Sequence, residues 1–141
     1  TTKRYTEKDI ENFIDCSKTK VFAWSVSDKF GDNGITGLCI IKLDLDSFSA
    51  EIDTFLMSCR IIGRNIEFSI MDFVMNYLNK LHIKQVSANY IQTLKNMQVA
   101  KFYKKNSFLN KNEIDKEIRY QLILENYKNN NINYINIDNG K

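Results

Sequence analysis

Apolar residues recur along this chain with two distinct periods, and the switches between them mark its elements. Thr6-Glu7-Lys8-Asp9 precedes Ile10, Phe13 and Ile14. A capping threonine with an acid three residues on, followed by helical spacing, predicts a first helix ending near Cys16. Over residues 21–27 the period is two, with Phe22, Trp24 and Val26 on one face and Val21, Ala23 and Ser25 on the other, which predicts a strand. Residues 28–34, rich in glycine, asparagine and aspartate, read as a hairpin connection. A second strand is predicted over 36–43, a turn over 44–49, and a third strand over 50–57, where apolar and polar positions alternate. Ile66, Ile70, Phe73, Val74, Tyr77, Leu78 and Leu81 then recur at three- and four-residue spacing, the signature of a long helix. A strand over 85–90, a short helix over 99–105 and a strand over 117–124 complete the pattern. The order α-β-β-β-α-β-α-β implies a mixed sheet with helices on both faces. From Tyr127 onward asparagine dominates and the period fades. The chain therefore divides into a domain over 1–126 and a loosely ordered tail over 127–141, in which Ile132, Tyr134, Ile135 and Ile137 offer a short edge strand.

Bulk properties narrow the class. A chain of 141 residues suits one core, and a hydrophobic share of 43% is too high for general disorder. The net charge of +3 is too small to call for a nucleic-acid partner, and the lysines at 101, 104, 105 and 111 read as a solvated face. Cys16, Cys39 and Cys59 have no metal or redox spacing; their odd number points to reduced thiols and a cytoplasmic protein. No apolar run reaches membrane-spanning length, and no metal site is expected. Asp44-Leu45-Asp46-Ser47-Phe48 reads as a turn, and His82, the sole histidine, falls at a helix end.

The chemistry concentrates in Arg60-Ile61-Ile62-Gly63-Arg64-Asn65, set between the third strand and the long helix. A glycine-bearing turn there aims free backbone N–H groups, at the positive end of a helix, towards a common point, and such a point binds phosphate. Arg60-x-x-Gly63-x-Asn65 resembles the Q/R-x-x-G-x-G/A signature of GNAT-type acyltransferases, with Asn65 in the last small position. Asn96-Met97-Gln98-Val99-Ala100-Lys101-Phe102-Tyr103-Lys104-Lys105-Asn106-Ser107-Phe108 is similar to the later N-x-x-A-x-x-F-Y-x-x-x-G-F pattern of that superfamily, with Ser107 where glycine is usual. Phe30-Gly31-Asp32-Asn33-Gly34 and the run from Glu51 to Arg64 resemble the C-terminal half of FkbH-like proteins. The likeness extends from about Arg4 to Leu124. It implies a GNAT acyl-CoA N-acyltransferase fold, and it implies an upstream HAD-like domain and an acyl carrier protein as partners. The work implied is the making of polyketide extender units such as methoxymalonate from a carrier-bound glyceryl group. An opening of Thr1-Thr2-Lys3-Arg4-Tyr5 without an initiator methionine fits a fragment of such a longer protein.

The same resemblance implies a cleft for phosphopantetheine, carried by an acyl carrier protein or by acyl-coenzyme A, with no covalently bound cofactor. Backbone groups of Phe55, Leu56 and Met57 would pair with the pantetheine arm. N–H groups of Ile61, Ile62, Gly63, Arg64 and Asn65 would hold phosphate, with Arg60 or Arg64 as charge partner; Asn96 would contact the arm from the neighbouring strand. Tyr103 stands where many GNAT enzymes place the acid that protonates the leaving thiolate, or else belongs to a core aromatic pair. Asp53 and Glu51 share a strand face and are candidates for a base or for structural carboxylates. Cys59, beside the positive helix end, is a candidate thioester carrier or a small buried residue. The expected activity is acyl transfer from a phosphopantetheine thioester; the alternative is a non-catalytic carrier-docking module.

Overall fold

A computed structural model of the chain describes residues 3–93 and 96–139. The expectations attached to Thr1-Thr2 and to the last two residues of the tail lie outside the described residues. Helix α1 spans Glu7–Asp15 and opens with the expected capping box: the Asp9 amide donates to Thr6 Oγ1, and the Asp9 carboxylate accepts from the Thr6 amide. Strands β1 (Thr19–Asp28) and β2 (Gly31–Asp44) form a hairpin, with β3 (Ser49–Met57) beside β2. Because β2 begins at Gly31, the connection is far shorter than the predicted 28–34 loop. Helix α2 (Ile66–Lys80) leads to β4 (Gln85–Ile91). The predicted short helix is two pieces: a single 3-10 turn at Met97–Val99 and α3 at Phe102–Lys105. Strands β5 (Leu109–Ile114) and β6 (Glu117–Ile123) end the sheet. The sequence reading missed β5, all of whose residues are exposed and which is held by its ladder to β6.

The six strands run in the order β1-β2-β3-β4-β6-β5, antiparallel throughout except for the parallel β3–β4 pair that α2 bridges. The core lies between the sheet and α2, where Cys39, Ile41, Ile52, Val86, Ala88 and Leu122 meet Met71, Val74, Met75 and Leu78. Leu81 and His82 end α2 in a Schellman turn: Ile83 N–H reaches Leu78 O and His82 N–H reaches Asn79 O, with His82 in the left-handed region at φ 62°. The sole histidine thus has a backbone role at the helix end. Among the described residues no helix is long and apolar enough to cross a membrane.

One irregularity positions the site. The β2–β3 register passes from Ile41↔Ile52 to Ile40↔Thr54, so Asp53 is an extra residue, a β-bulge. The β3–β4 ladder ends just before it, at Ile52↔Ala88. Beyond that point β3 continues to Met57 paired only with β2, while β4 continues to Ile91 paired only with β6. The two strands splay, and a cleft opens between them.

After β6 the described residues of the tail, expected to be loosely ordered with the option of an edge strand, form no strand and cross α2 instead. Asp72 gathers it, accepting from the Tyr127 hydroxyl and from the N–H groups of Asn130 and Asn131. The Asn130 amide also donates to Asn106, a fully buried residue, and Ile135 packs on the core.

Candidate functional site

The cleft has a volume of about 420 Å³, within the span of small-molecule sites. Phe55, Leu56 and Met57 of β3 form one wall and Asn89 and Tyr90 of β4 the other. With β4 turned away, the outer N–H and C=O groups of β3 beyond the bulge lack a ladder partner, which is what an extended ligand arm needs for strand-like pairing. An aromatic file lies beneath: the ring centroids of Trp24 and Phe55 are 5.6 Å apart, those of Phe55 and Phe102 4.9 Å, and those of Phe102 and Phe68 5.7 Å.

The turn from β3 into α2 stands at the end of this cleft. Gly63 (φ 88°) and Asn65 (φ 67°) are both left-handed, the former at a position that favours glycine and the latter at one that asparagine tolerates. Two of the expected phosphate-binding groups are already used. Ile61 N–H bonds Ser58 O at 3.0 Å and Arg64 N–H bonds Ile61 O at 3.3 Å, while the Ile61 side chain is wholly buried in the core. Among the described residues no acceptor takes the N–H of Ile62, Gly63, Asn65, Ile66 or Glu67. The donor set is thus shifted towards the first turn of the helix, where the macrodipole is positive. Asn65 does not cap α2 with its own side chain; its amide donates to the Tyr134 hydroxyl at 2.6 Å. The expected charge partners sit elsewhere: Arg64 pairs with Asp28 at 3.0 Å, Arg60 Nε donates to Ser58 Oγ, and neither lines the cleft. Lys101 and Lys105, read from sequence as part of a solvated face, do line it.

The remaining candidates separate by geometry. Asp53 is unsuited to the base role. Its carboxylate accepts from Lys3 at 2.6 Å, Tyr5 at 2.6 Å, Thr54 at 3.0 Å and Lys42 at 3.2 Å. Burial alone would raise its pKa, but these donors outweigh that and hold it at about 2, so it is a poor proton acceptor at neutral pH. Burial, then the Asp53 hydrogen bond, pushes the Tyr5 phenol up to about 12. Glu51 lies on this same α1 side of β3 and does not line the cleft. Asp53 lines the cleft, yet its carboxylate is committed to holding the N-terminal segment. Asp53→Asn is expected to cost about 2 kcal/mol in chemical denaturation, the half-exposed lysines keeping the loss from being larger. Since the folded-state pKa is depressed below 3.8, the Asp53 contribution is intact above about pH 4 and disappears as pH falls towards 2. Acid titrations of the wild type and the Asn variant should converge across that window.

Asn96 lines the cleft, but its side chain mainly shapes the loop after β4: Oδ1 accepts from Thr93 N–H at 2.8 Å and Tyr90 Oη at 3.1 Å, and Nδ2 donates to Ile91 O at 2.8 Å. Cys59 is exposed on the cleft rim. Tyr103 also lines the cleft, half-buried, with its ring against Phe102, Phe108 and Tyr120; burial pushes its phenol pKa up. Among the described residues its hydroxyl has no hydrogen-bond partner. Ser107 adopts φ 73°, the backbone reason that glycine is usual there. Sequence reasoning missed Glu67, Phe68, Asn89, Tyr90, Val99, Lys101, Phe102 and Lys105 as lining residues. Of these, Val99, Lys101, Phe102 and Lys105 lie within the 96–108 pattern, and Glu67 left a signal of its own, a charge two residues beyond the loop on an otherwise apolar helix face.

No protein-family model and no curated protein matches the chain. Solved structures do. A spermidine N-acetyltransferase variant from Vibrio cholerae superposes with a TM-score of 0.68 at 14% identity, over 87% of this chain and 76% of that one. A putative acetyltransferase of the GNAT family from Desulfovibrio desulfuricans gives 0.66 at 10% identity, over 84% and 77%. Tetrahymena GCN5 gives 0.62 at 10%, over 88% and 79%. The chain thus has a GNAT acyltransferase fold.

Proposed function

We propose that the cleft binds an acyl phosphopantetheine thioester and transfers its acyl group to a nucleophile. The observation that carries this reading is the continuity of two features: a stretch of β3 beyond Asp53 whose outer edge lacks a ladder partner and, where it ends, five backbone N–H groups without acceptors among the described residues, in the turn and at the start of α2. The first suits the amides of a pantetheine arm and the second its phosphate. The aromatic file would keep water from the thioester. Likeness of the 30–34 and 51–64 segments to FkbH-like proteins favours an arm borne by an acyl carrier protein, with coenzyme A as a substitute, in polyketide extender-unit assembly beside an upstream HAD-like domain.

In this mechanism an N–H or O–H nucleophile attacks the thioester carbonyl, a β3 N–H stabilises the tetrahedral oxyanion, and the C–S bond breaks as the sulfur takes a proton from Tyr103. The Tyr103 phenolate recovers one, through solvent, from the proton the nucleophile sheds. Burial keeps the Tyr103 phenol protonated at neutral pH and also makes it a weaker acid, so its proton has to move in concert with C–S cleavage. Tyr103→Phe is expected to lower thiol release from acyl-coenzyme A or acyl-carrier substrates about 100-fold while leaving ligand affinity within about threefold. A chromogenic thiol assay beside calorimetry separates the two quantities, and unchanged release would remove Tyr103 from the chemistry.

A second reading is favoured by one observation: the carboxylate predicted as a base, Asp53, is fully occupied, and Glu51 lies outside the cleft. A docking module that holds the phosphopantetheine arm for the neighbouring domain needs no base. Titration with apo and phosphopantetheinylated carrier protein tests what both readings share. Binding of the modified form alone supports the cleft; equal binding of both forms, or none, refutes it.

A further inference from the structure

Glu67 is the one charged side chain that the fold buries on the cleft wall without a donor among the described residues. It is 9% exposed, Oε2 is closed off from solvent with no hydrogen-bond partner, and the residue lines the cleft. Its own N–H and that of Ile66 are among the groups without acceptors at the start of α2. A carboxylate oxygen taken out of water with no donor is a costly arrangement, even where its twin is not closed off. A bound molecule that brings a donor to that point relieves it.

The position states what the donor must be. The carboxylate hangs from the same residue whose N–H faces the phosphate position, so the donor has to lie close to the phosphate along the ligand. In phosphopantetheine the first donor after the phosphate ester is the pantoyl hydroxyl, separated from it only by a methylene and a quaternary carbon bearing two methyl groups. Ile62 and Phe68, both on the cleft wall, supply apolar surface for those methyls. Resting on the phosphopantetheine reading above, we propose that Glu67 accepts a hydrogen bond from the pantoyl hydroxyl and so makes the site selective for a hydroxylated arm. An O–H donor lying between two anions also separates their charges, and the positive end of α2 favours both.

Calorimetry with phosphopantetheine and with its analogue lacking the pantoyl hydroxyl tests the assignment, on the wild type and on Glu67→Met and Glu67→Gln. The wild type should prefer the hydroxylated ligand by about 10- to 30-fold, the scale of a hydrogen bond to a charged group. Glu67→Met, similar in volume and without an acceptor oxygen, should discriminate less than about threefold. Glu67→Gln keeps a neutral acceptor and should retain a preference between those of the wild type and Glu67→Met, about 3- to 10-fold. Equal binding of the two ligands by the wild type, or undiminished discrimination by a folded Glu67→Met, overturns the assignment and leaves the cleft reading standing. Failure of the wild type to bind either ligand overturns both. Thermal melts of each variant show whether it is folded, and the wild-type comparison decides the matter even if Glu67→Met is not.

Discussion

Replacing Gly63 by valine is expected to weaken binding of phosphopantetheine-bearing ligands about 100-fold, the loss of one to two charge-assisted hydrogen bonds. The reason lies in the backbone. Gly63 sits at φ 88°, where a β-branched side chain is strained by roughly 1–2 kcal/mol. Space is not the obstacle, since a Cβ at this position would meet nothing within 4 Å. The turn therefore has room to relax towards negative φ, and in doing so it would rotate the N–H groups of Ile62, Gly63 and Asn65 out of convergence. Calorimetric titration with coenzyme A, beside a melting curve, separates the two consequences. Affinity should collapse, while stability falls by no more than the strain. Retained affinity would mean that phosphate is held at some other place, and the cleft assignment would go with it.

The sequence disclosed this turn because its cues are local: a glycine and two arginines between an alternating run and a helical run. The capping box at Thr6 and Asp9 was legible for the same reason. What the sequence could not disclose is how the turn spends its donors. That Ile61 and Arg64 give their N–H groups to Ser58 and Ile61 is decided by backbone angles, and identical letters are compatible with the opposite assignment. Alternation along β3 placed Asp53 and Glu51 correctly on one face, yet the bulge at Asp53 and its capture by Lys3, Tyr5 and Lys42 rest on contacts with distant parts of the chain.

Strand β5 eluded the pattern for a different reason. Leu109-Asn110-Lys111-Asn112-Glu113-Ile114 has no buried face and hence no alternation; pairing with β6 alone makes it a strand. The tail is similar: its asparagines read as unstructured, but Asn130 meets Asp72 and Asn106 across 58 and 24 residues of sequence. Glu67 passed unnoticed because a single charge on an apolar helix ordinarily faces water. In the fold it faces the cleft, and burial without a partner makes it informative.

A single added methyl group at Gly37 is expected to be among the most destabilising substitutions available to this chain. Gly37 lies opposite Trp24 in the β1–β2 ladder and opposite Met57 in the β2–β3 ladder, so it is flanked on both sides at the level of the cleft. A Cβ there would fall 2.1 Å from two atoms of the Trp24 indole. The glycine is required for this close approach and not for its backbone angles. Trp24 has little freedom to retreat, because its ring packs against Phe55, and Phe55 in turn against Phe102. Its indole N–H is already buried without a partner, so a displaced ring would carry an unsatisfied donor with it. Overpacking of this kind costs about 2–3 kcal/mol, which for a chain of this size lowers the melting temperature by roughly 8–12 °C. Since the displaced ring presses on the floor of the cleft, Gly37→Ala should also weaken coenzyme A binding at temperatures well below the melt. Scanning calorimetry and ligand titration on the same variant check both consequences. A melting point within about 2 °C of the wild type, equivalent to less than 1 kcal/mol, would show that Trp24 yields freely and does not brace the cleft through Phe55.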